Sequence, residues 1–571
     1  MKKLSIFGLA GLLLIVTGGT AAFGQESEPE EKYSIWVGSH YTGYSDYAKK
    51  VGEFNFGDDE KLFPEFKIDY LSRGKGHIFA LDGHYFDEKN IDGDVSVRIG
   101  DEVSGNFRYR SFVRQEGQDL LANLETREAG GGKILTHEIL DPGADYNTHR
   151  KEMQSNVNIL LSSRHNLKLM AAHRMVLQTG TEQKISSNHC FSCHITSDEA
   201  RVDKIAHHFV AGLQGDVGES TIGYQFGYRL FNSEAPDPYA YYDEAKHPVT
   251  GESGAEFSSR MVYDDTTISY GIYPKTEKFS HKLRFNSKVG GGDLATSVSY
   301  STTTDKKTDL SSTAWVGSAM YAVPVSTRSR IIAKLIATKF DTDDYYIDLP
   351  LFREGRTGTQ TDFDINRKSS LTRIDLRGSL ELISQLSQRI TASLLLGYNR
   401  IDRDDYPIEE EGLASNKLIG QFKIRYRKGL RYSTYVKYRF EKTSDPFLSG
   451  RGLFEARGRD ILDPIPESFR FVFYFQREDL RYQDITTVPT QTHIFEWNSN
   501  WRPDKKFNVM VGLKGRYDKN GDLDSLDVNH LRLQPHMTMN LTPAPKWSVS
   551  AGGSYAYFKS RGPVTVALFD G

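Results

Sequence analysis

The stretch Thr372–Leu382, TRIDLRGSLEL, alternates without a break. Ile374, Leu376, Gly378, Leu380 and Leu382 fall on one side of an extended chain, and Arg373, Asp375, Arg377, Ser379 and Glu381 on the other. A period of two is the mark of a strand whose faces meet different surroundings. After the link Ser384–Gln388 comes a partner with Ile390, Ala392, Leu394, Leu396 and Tyr398 on one face. The pattern repeats through Leu418–Tyr426, the turn at Lys428-Gly429, and Leu430–Phe440. Two more pairs follow: Phe495–Trp501 with Phe507–Tyr517, and Leu531–Leu541 with Trp547–Tyr557. Ile222–Leu230 shows the same pattern earlier in the chain.

Soluble sandwiches also alternate, so length decides between the two settings. These strands run to about 10–12 residues, near the 9–11 that cross a bilayer at a tilt and longer than the 5–6 of globular strands. The connections alternate too. Short links (Ser72–Lys75, Gly215–Glu219, Gly290–Asp293, Lys428-Gly429) interleave with long polar ones (Gln115–Lys151, Asn232–Thr276, Asp341–Ser370, Thr443–Thr492). That asymmetry fits short periplasmic turns and long extracellular loops. The expected fold is all-β: a large transmembrane antiparallel up-and-down β-barrel of about 22 strands, within a range of about 20–26.

Composition agrees. The 571 residues include 32 Phe, 31 Tyr and 50 Gly but are only 38% hydrophobic, as suits a chain with every second strand residue facing lipid and aromatics at the interfaces. The opening MKKLSIFGLAGLLLIVTGGTAAFG has a basic start, a short apolar core and small residues before Gln25, which predicts a signal peptide at 1–24 and a barrel over 25–571. A net charge of −3 points to no nucleic-acid partner. With no G-x-S-x-G, no H-E-x-x-H and no compact acid/base cluster, the chain is expected not to be an enzyme. The chain ends Leu568-Phe569-Asp570-Gly571, without the terminal aromatic residue expected of many such barrels.

The only two cysteines stand in Cys190-Phe-Ser-Cys193-His194, inside a loop expected at about 179–202. Random placement of these residues would give C-x-x-C-H in roughly one chain in 10,000, so the spacing carries chemistry. C-x-x-C-H is the spacing of covalent haem c attachment: two thiols for the vinyl groups and His194 for the iron. A sixth iron ligand is expected from His207 or His208, of which only one can face the water-filled side of a strand. His189, His173 and His165 are further candidates. Other chemistry fits the same residues: a Cys190–Cys193 disulfide, since exported cysteines are normally oxidised, or a zinc site completed by nearby histidines. Strand parity puts the motif on the long-loop side, extracellular or folded into the lumen.

Signal peptide, barrel and C-x-x-C-H together resemble the porin component of bacterial porin–cytochrome conduits, the Mtr/Pio-type family. Motif-level support is confined to Cys190, Cys193 and His194; some members carry a C-x-x-C near the mature N-terminus, whereas here it lies a third of the way along and is followed by histidine. The resemblance implies a barrel in the outer membrane of a Gram-negative bacterium that sheathes or docks a multihaem c-type cytochrome, periplasmic or extracellular, and passes electrons across the membrane. One haem c of its own would be an addition to that role. The alternative is a passive diffusion porin with a Cys190–Cys193 disulfide. The polar faces carry Arg373, Arg377, Lys423, Arg425, Arg427, Lys437, Arg439, Lys514 and Arg516, either a porin wall salt-bridged to acidic neighbours or a basic surface for an inserted cytochrome. The acidic run Asp404–Glu411 is expected in an outer loop.

Overall fold

A computed structural model describes residues 30–562, except 42–61, 123–126, 130–131, 188–192, 243–260, 264–265, 270, 349–350, 355–359, 362–364, 368, 370, 404–412, 445–488, 521–527 and 545. The expected signal peptide, the acidic run Asp404–Glu411 and the C-terminal Leu568–Gly571 lie outside them. The described secondary structure is all strand. Among the described residues twenty-four strands share one sheet, up-and-down apart from a single parallel pairing, against the about 22 expected. The first eleven are β1 (Glu30–Tyr41), β2 (Leu62–Gly74), β3 (His77–Tyr85), β4 (Ile91–Ile99), β5 (Val103–Gln115), β6 (Arg127–Ala129), β7 (Gly132–Ile139), β8 (Asn147–Ser162), β9 (Leu167–Ser187), β10 (Cys193–Val217) and β11 (Ser220–Ser233). Short links alternate with long ones: Gly218-Glu219 leaves β10, whereas 234–275 separates β11 from Thr276–Val289. At Gly290-Gly291, φ values of 57° and 77° close a two-residue hairpin that requires a left-handed backbone at both central positions.

The chain divides into two compact units. In the larger one, the opening stretch lies in Arg373–Gln385 and pairs in register with Ile390–Arg403: Leu382 opposite Leu394, Leu380 opposite Leu396. The apolar face continues through Leu394 opposite Phe422, Phe422 opposite Tyr438, and Tyr438 opposite Phe495. Leu380, Leu396 and Phe422 are 51%, 57% and 47% exposed, and an apolar band this wide is stable only against lipid. Aromatics rim the band. Near the short turns, Tyr426 lies 6.1 Å from Tyr432, Tyr432 pairs with Trp501, and Trp501 meets Phe507 edge-on at 5.9 Å. Toward the other end, Tyr300 and Trp315 are 4.6 Å apart, and Tyr438 Oη lies 2.8 Å from His493 Nδ1. An apolar belt between two aromatic girdles is the signature of an outer-membrane β-barrel, and the chain belongs to that fold class.

The smaller unit comprises β1–β5, β8 and parts of β9 and β10. Its outward face carries Tyr33, Ile35, Val37, Phe66 and Ile68, all exposed. Its other face is polar: Asp69 stands opposite Asp82 and Asp82 opposite Asp94, with Asn106 donating to both oxygens of Asp94. His84 Nε2 lies 2.8 Å from Glu65, and His40 stacks on Phe86 with centroids 3.6 Å apart.

Candidate functional site

β9 and β10 are 21 and 25 residues long and pair with each other. The strands run through most of the expected 179–202 loop and leave only 188–192 as the link. Alternation continues there in polar form (Thr179, Thr181; Ile195, Ser197), which favours extended chain without asking for lipid. Cys190 and His189 fall in the link, outside the described residues. Cys193 and His194 open β10, and the strand order puts this tip at the end from which the long connections leave.

Three sets of contacts hold the tip. β7 runs parallel to β10, with Cys193 opposite Leu135, His194 opposite Thr136 and Ile195 opposite His137; β6 pairs with the far edge of β7. The Leu140 amide extends that pairing by donating to Ser197 O at 2.9 Å. Gln183 of β9 ties in a neighbouring segment: its Nε2 donates to Asp119 O at 2.8 Å and Ser197 Oγ at 2.6 Å, and its Oε1 accepts from the Asp119 amide at 2.6 Å. The Ser186 and Thr196 hydroxyls meet at 2.8 Å across the hairpin. Ser197 is fully buried, so its hydroxyl needs the Gln183 partner.

His137 was not legible from the sequence. It lies within the Gln115–Lys151 connection, and its link to the motif is a parallel pairing across more than 50 residues of chain. KILTHEI has strand alternation, but nothing local names its partner. Its Nδ1 is buried and has no hydrogen-bond partner, the one orphaned donor–acceptor beside the motif among the described residues. His137 stands opposite Ile195, one place along from the Thr136–His194 pair, so on a pleated sheet its position falls on the face opposite that of His194. The thiol pair and His194 fit covalent haem in kind and order, and a tetrahedral centre would draw on His137 without His194. Among the described residues, no three His, Cys, Asp or Glu side chains form a metal-holding group.

The expected sixth ligands are elsewhere. β10 is unbroken from Cys193 to Val217, so at about 3.3 Å per residue His207 and His208 lie roughly 40 Å or more along the strand from His194. Neither can share an iron with it. His207 Nδ1 instead sits 3.2 Å from His173 Nε2, the rings stacked at 5.5 Å, with Phe209 4.4 Å from His173. Leu169 and Phe209 are exposed on this face, so His207 and His173 belong to the apolar side and His208 holds the alternate position. His165 is in the turn at the opposite end of β9.

Of the nine polar-face cations, several are neutralised in place. Arg373 and Arg377 both reach Asp375 (3.5 and 3.4 Å), Lys437 reaches Glu496 (2.8 Å), Arg439 reaches Glu441 (2.6 Å) and Arg516 reaches Asp518 (2.7 Å). Lys423 lies 4.7 Å over the Tyr435 ring.

No family model and no curated protein matches the chain. Among solved structures, a ferric enterobactin receptor mutant from Pseudomonas aeruginosa is 9% identical, with a TM-score of 0.47 over 92% of this chain and 75% of that one. The FrpB iron transporter from Neisseria meningitidis is 10% identical, with a TM-score of 0.46 over 88% and 77%. The copper transporter OprC is 8% identical, with a TM-score of 0.43 over 94% and 81%. Likenesses this distant leave the fold resting on the chain's own alternation, girdles and strand register.

Proposed function

We propose that this chain is the outer-membrane barrel of an electron conduit, docking a multihaem c-type cytochrome and carrying one haem c at the tip of the β9–β10 hairpin. Cys190 and Cys193 would hold the haem and His194 its iron. The observation that carries the reading is the placement of C-x-x-C-H at the end of a strand pair far longer than a bilayer requires, on the side of the long connections. When bound, the haem supplies a one-electron centre. The chain's own contribution is positional: β7, Gln183 and Ser197 fix the start of β10, so that the motif is presented on a braced strand.

A second reading is favoured by one observation, the orphaned Nδ1 of His137: a zinc centre of Cys190, Cys193 and His137 that staples the tip. A diffusion porin with a Cys190–Cys193 disulfide is the third. One experiment separates them. The full chain is produced in a host with cytochrome c maturation and purified from outer membranes, then examined by pyridine haemochrome spectrum, intact mass and metal content. Covalent haem lost in Cys193→Ser supports the conduit, and a co-purifying cytochrome completes it. Stoichiometric zinc lost in His137→Ala supports the second reading. A metal-free mass two hydrogens below the dithiol leaves the porin and overturns the haem assignment.

A further inference from the structure

Arginines in this chain are commonly followed two residues later by an acid. Arg150-Glu152, Arg201-Asp203, Arg373-Asp375, Arg400-Asp402, Arg439-Glu441 and Arg516-Asp518 all form ion pairs within their own strands. Residues two apart share a strand face, so the spacing neutralises a cation on the spot. One strip that departs from this spacing brings four cations together across two paired strands. β11 pairs with Thr276–Val289, with Arg229 directly opposite Lys278, Gln225 opposite Lys282 and Gly223 opposite Arg284. The residues two further on are Phe231, Ser280, Arg284 and Asn286. Among the described residues none of these four cations has an acidic partner.

Their face is the polar one, since Ile222, Tyr224, Phe279 and Leu283 on the other side are exposed to lipid. The next strand, Gly292–Asp305, adds hydroxyls in register: Thr303 opposite Lys278, Ser301 opposite Ser280, Ser299 opposite Lys282 and Ser297 opposite Arg284. Like charges placed directly across a sheet are destabilising, and here no acid offsets them. Cations flanked by hydroxyl and glycine rather than carboxylate provide charge-assisted donors with no competing anion.

We infer that Arg229, Lys278, Lys282 and Arg284 form a binding site for a multivalent oxyanion on the polar face of the barrel wall. Arg229 and Lys278 hold one anionic group. Lys282 and Arg284 hold another, the two lysine backbones about 13 Å apart along the strand. The site is independent of the chemistry at Cys190 and Cys193 and adds a ligand class to the barrel.

The test is calorimetric titration of the detergent-solubilised full chain with inorganic tripolyphosphate and with orthophosphate at physiological ionic strength. The wild type binds tripolyphosphate at least about tenfold more tightly than orthophosphate, and raised salt weakens the binding. The R229Q/K278Q/K282Q/R284Q variant loses about 100-fold or more, each lost charge-assisted contact contributing several-fold. A K437Q/E496Q variant removes a pair already satisfied at 2.8 Å and keeps wild-type affinity. Circular dichroism confirms that each variant retains its strands. Absence of tripolyphosphate binding by the wild type, or equal binding by the quadruple variant, overturns the site.

Discussion

Replacing Gln183 with leucine tests whether the β9–β10 tip is braced. The side chain makes three hydrogen bonds, two to the Asp119 backbone on the solvent side and one to the buried Ser197 hydroxyl. The two solvent-side bonds contribute about 0.5 kcal/mol each; stranding the Ser197 hydroxyl costs about 1–2 kcal/mol more. The sum, about 2–3 kcal/mol, is roughly a 30- to 150-fold increase in local opening. The reporter is the Leu140 amide, whose acceptor is the Ser197 carbonyl. Hydrogen exchange followed by mass spectrometry on the purified protein should show the 135–140 and 195–200 segments exchanging faster by that factor, with the membrane strands unchanged. The double variant Gln183→Leu/Ser197→Ala should recover part of the loss, because no orphaned hydroxyl remains. Exchange within threefold of wild type in the single variant would refute the bracing.

Leu380→Lys puts a charge in the apolar band and should cost about 2–4 kcal/mol, whereas Ser379→Lys on the polar face, beside Glu381 and opposite Lys334, should cost no more than about 1 kcal/mol; denaturant midpoints in lipid vesicles distinguish the faces. Asp237, in the connection after β11, accepts from the Tyr273 amide at 2.8 Å and from Lys307 Nζ at 3.0 Å, and these partners, the amide foremost, hold its carboxyl below the usual value of 3.8. A depressed folded value stabilises the connection above pH about 3.8 and loses that contribution as pH falls through the folded value. Protease protection of Tyr239–Tyr242 should therefore fade in acid in the wild type, and in Asp237→Asn should be reduced at neutral pH and lack that dependence. Gly180 has φ +137°, and a Cβ there would lie 2.1 Å from Asn147 O and 3.0 Å from Thr148 Cα. Gly180→Ala should cost about 3 kcal/mol, and the assembled fraction on refolding into vesicles measures it.

The barrel was legible where lipid imposes period two. The strand read as Thr372–Leu382 is Arg373–Gln385, and Phe495–Trp501 lies within Gln491–Trp501. Legibility ended where that constraint ends. Beyond the membrane a strand has no need of an apolar face, so 179–187 and 193–202 read as loop. The β7–β10 pairing is non-local and parallel, and no short-range signal encodes it. The adjacent pair His207-His208 gave no parity of its own; only the His173 and Phe209 neighbours assign His207 to the apolar face. In-strand neutralisation follows a local spacing, arginine and acid two residues apart, whereas a cation strip such as that of Arg229 and Lys282 is assembled only by the cross-strand register.

The length of β10 constrains the role of a redox centre at its tip. His207 and Phe209 sit on the apolar face, so the strand from Cys193 to Ala206 extends past them by roughly 45 Å at about 3.3 Å per residue. At the roughly 35–45° tilt of barrel strands that is a rise of about 32–37 Å, against a hydrocarbon core about 30 Å thick. A haem held by Cys190, Cys193 and His194 would therefore stand clear of the bilayer, at the mouth with the long connections, and could not be a step in the path through it. On the conduit reading the crossing belongs to the docked cytochrome, and the tip is where electrons meet a partner outside. Cys193→Ser should accordingly leave barrel assembly and cytochrome docking intact while abolishing exchange with an external acceptor. A variant that lost cytochrome docking instead would place the motif inside the crossing and contradict the strand geometry.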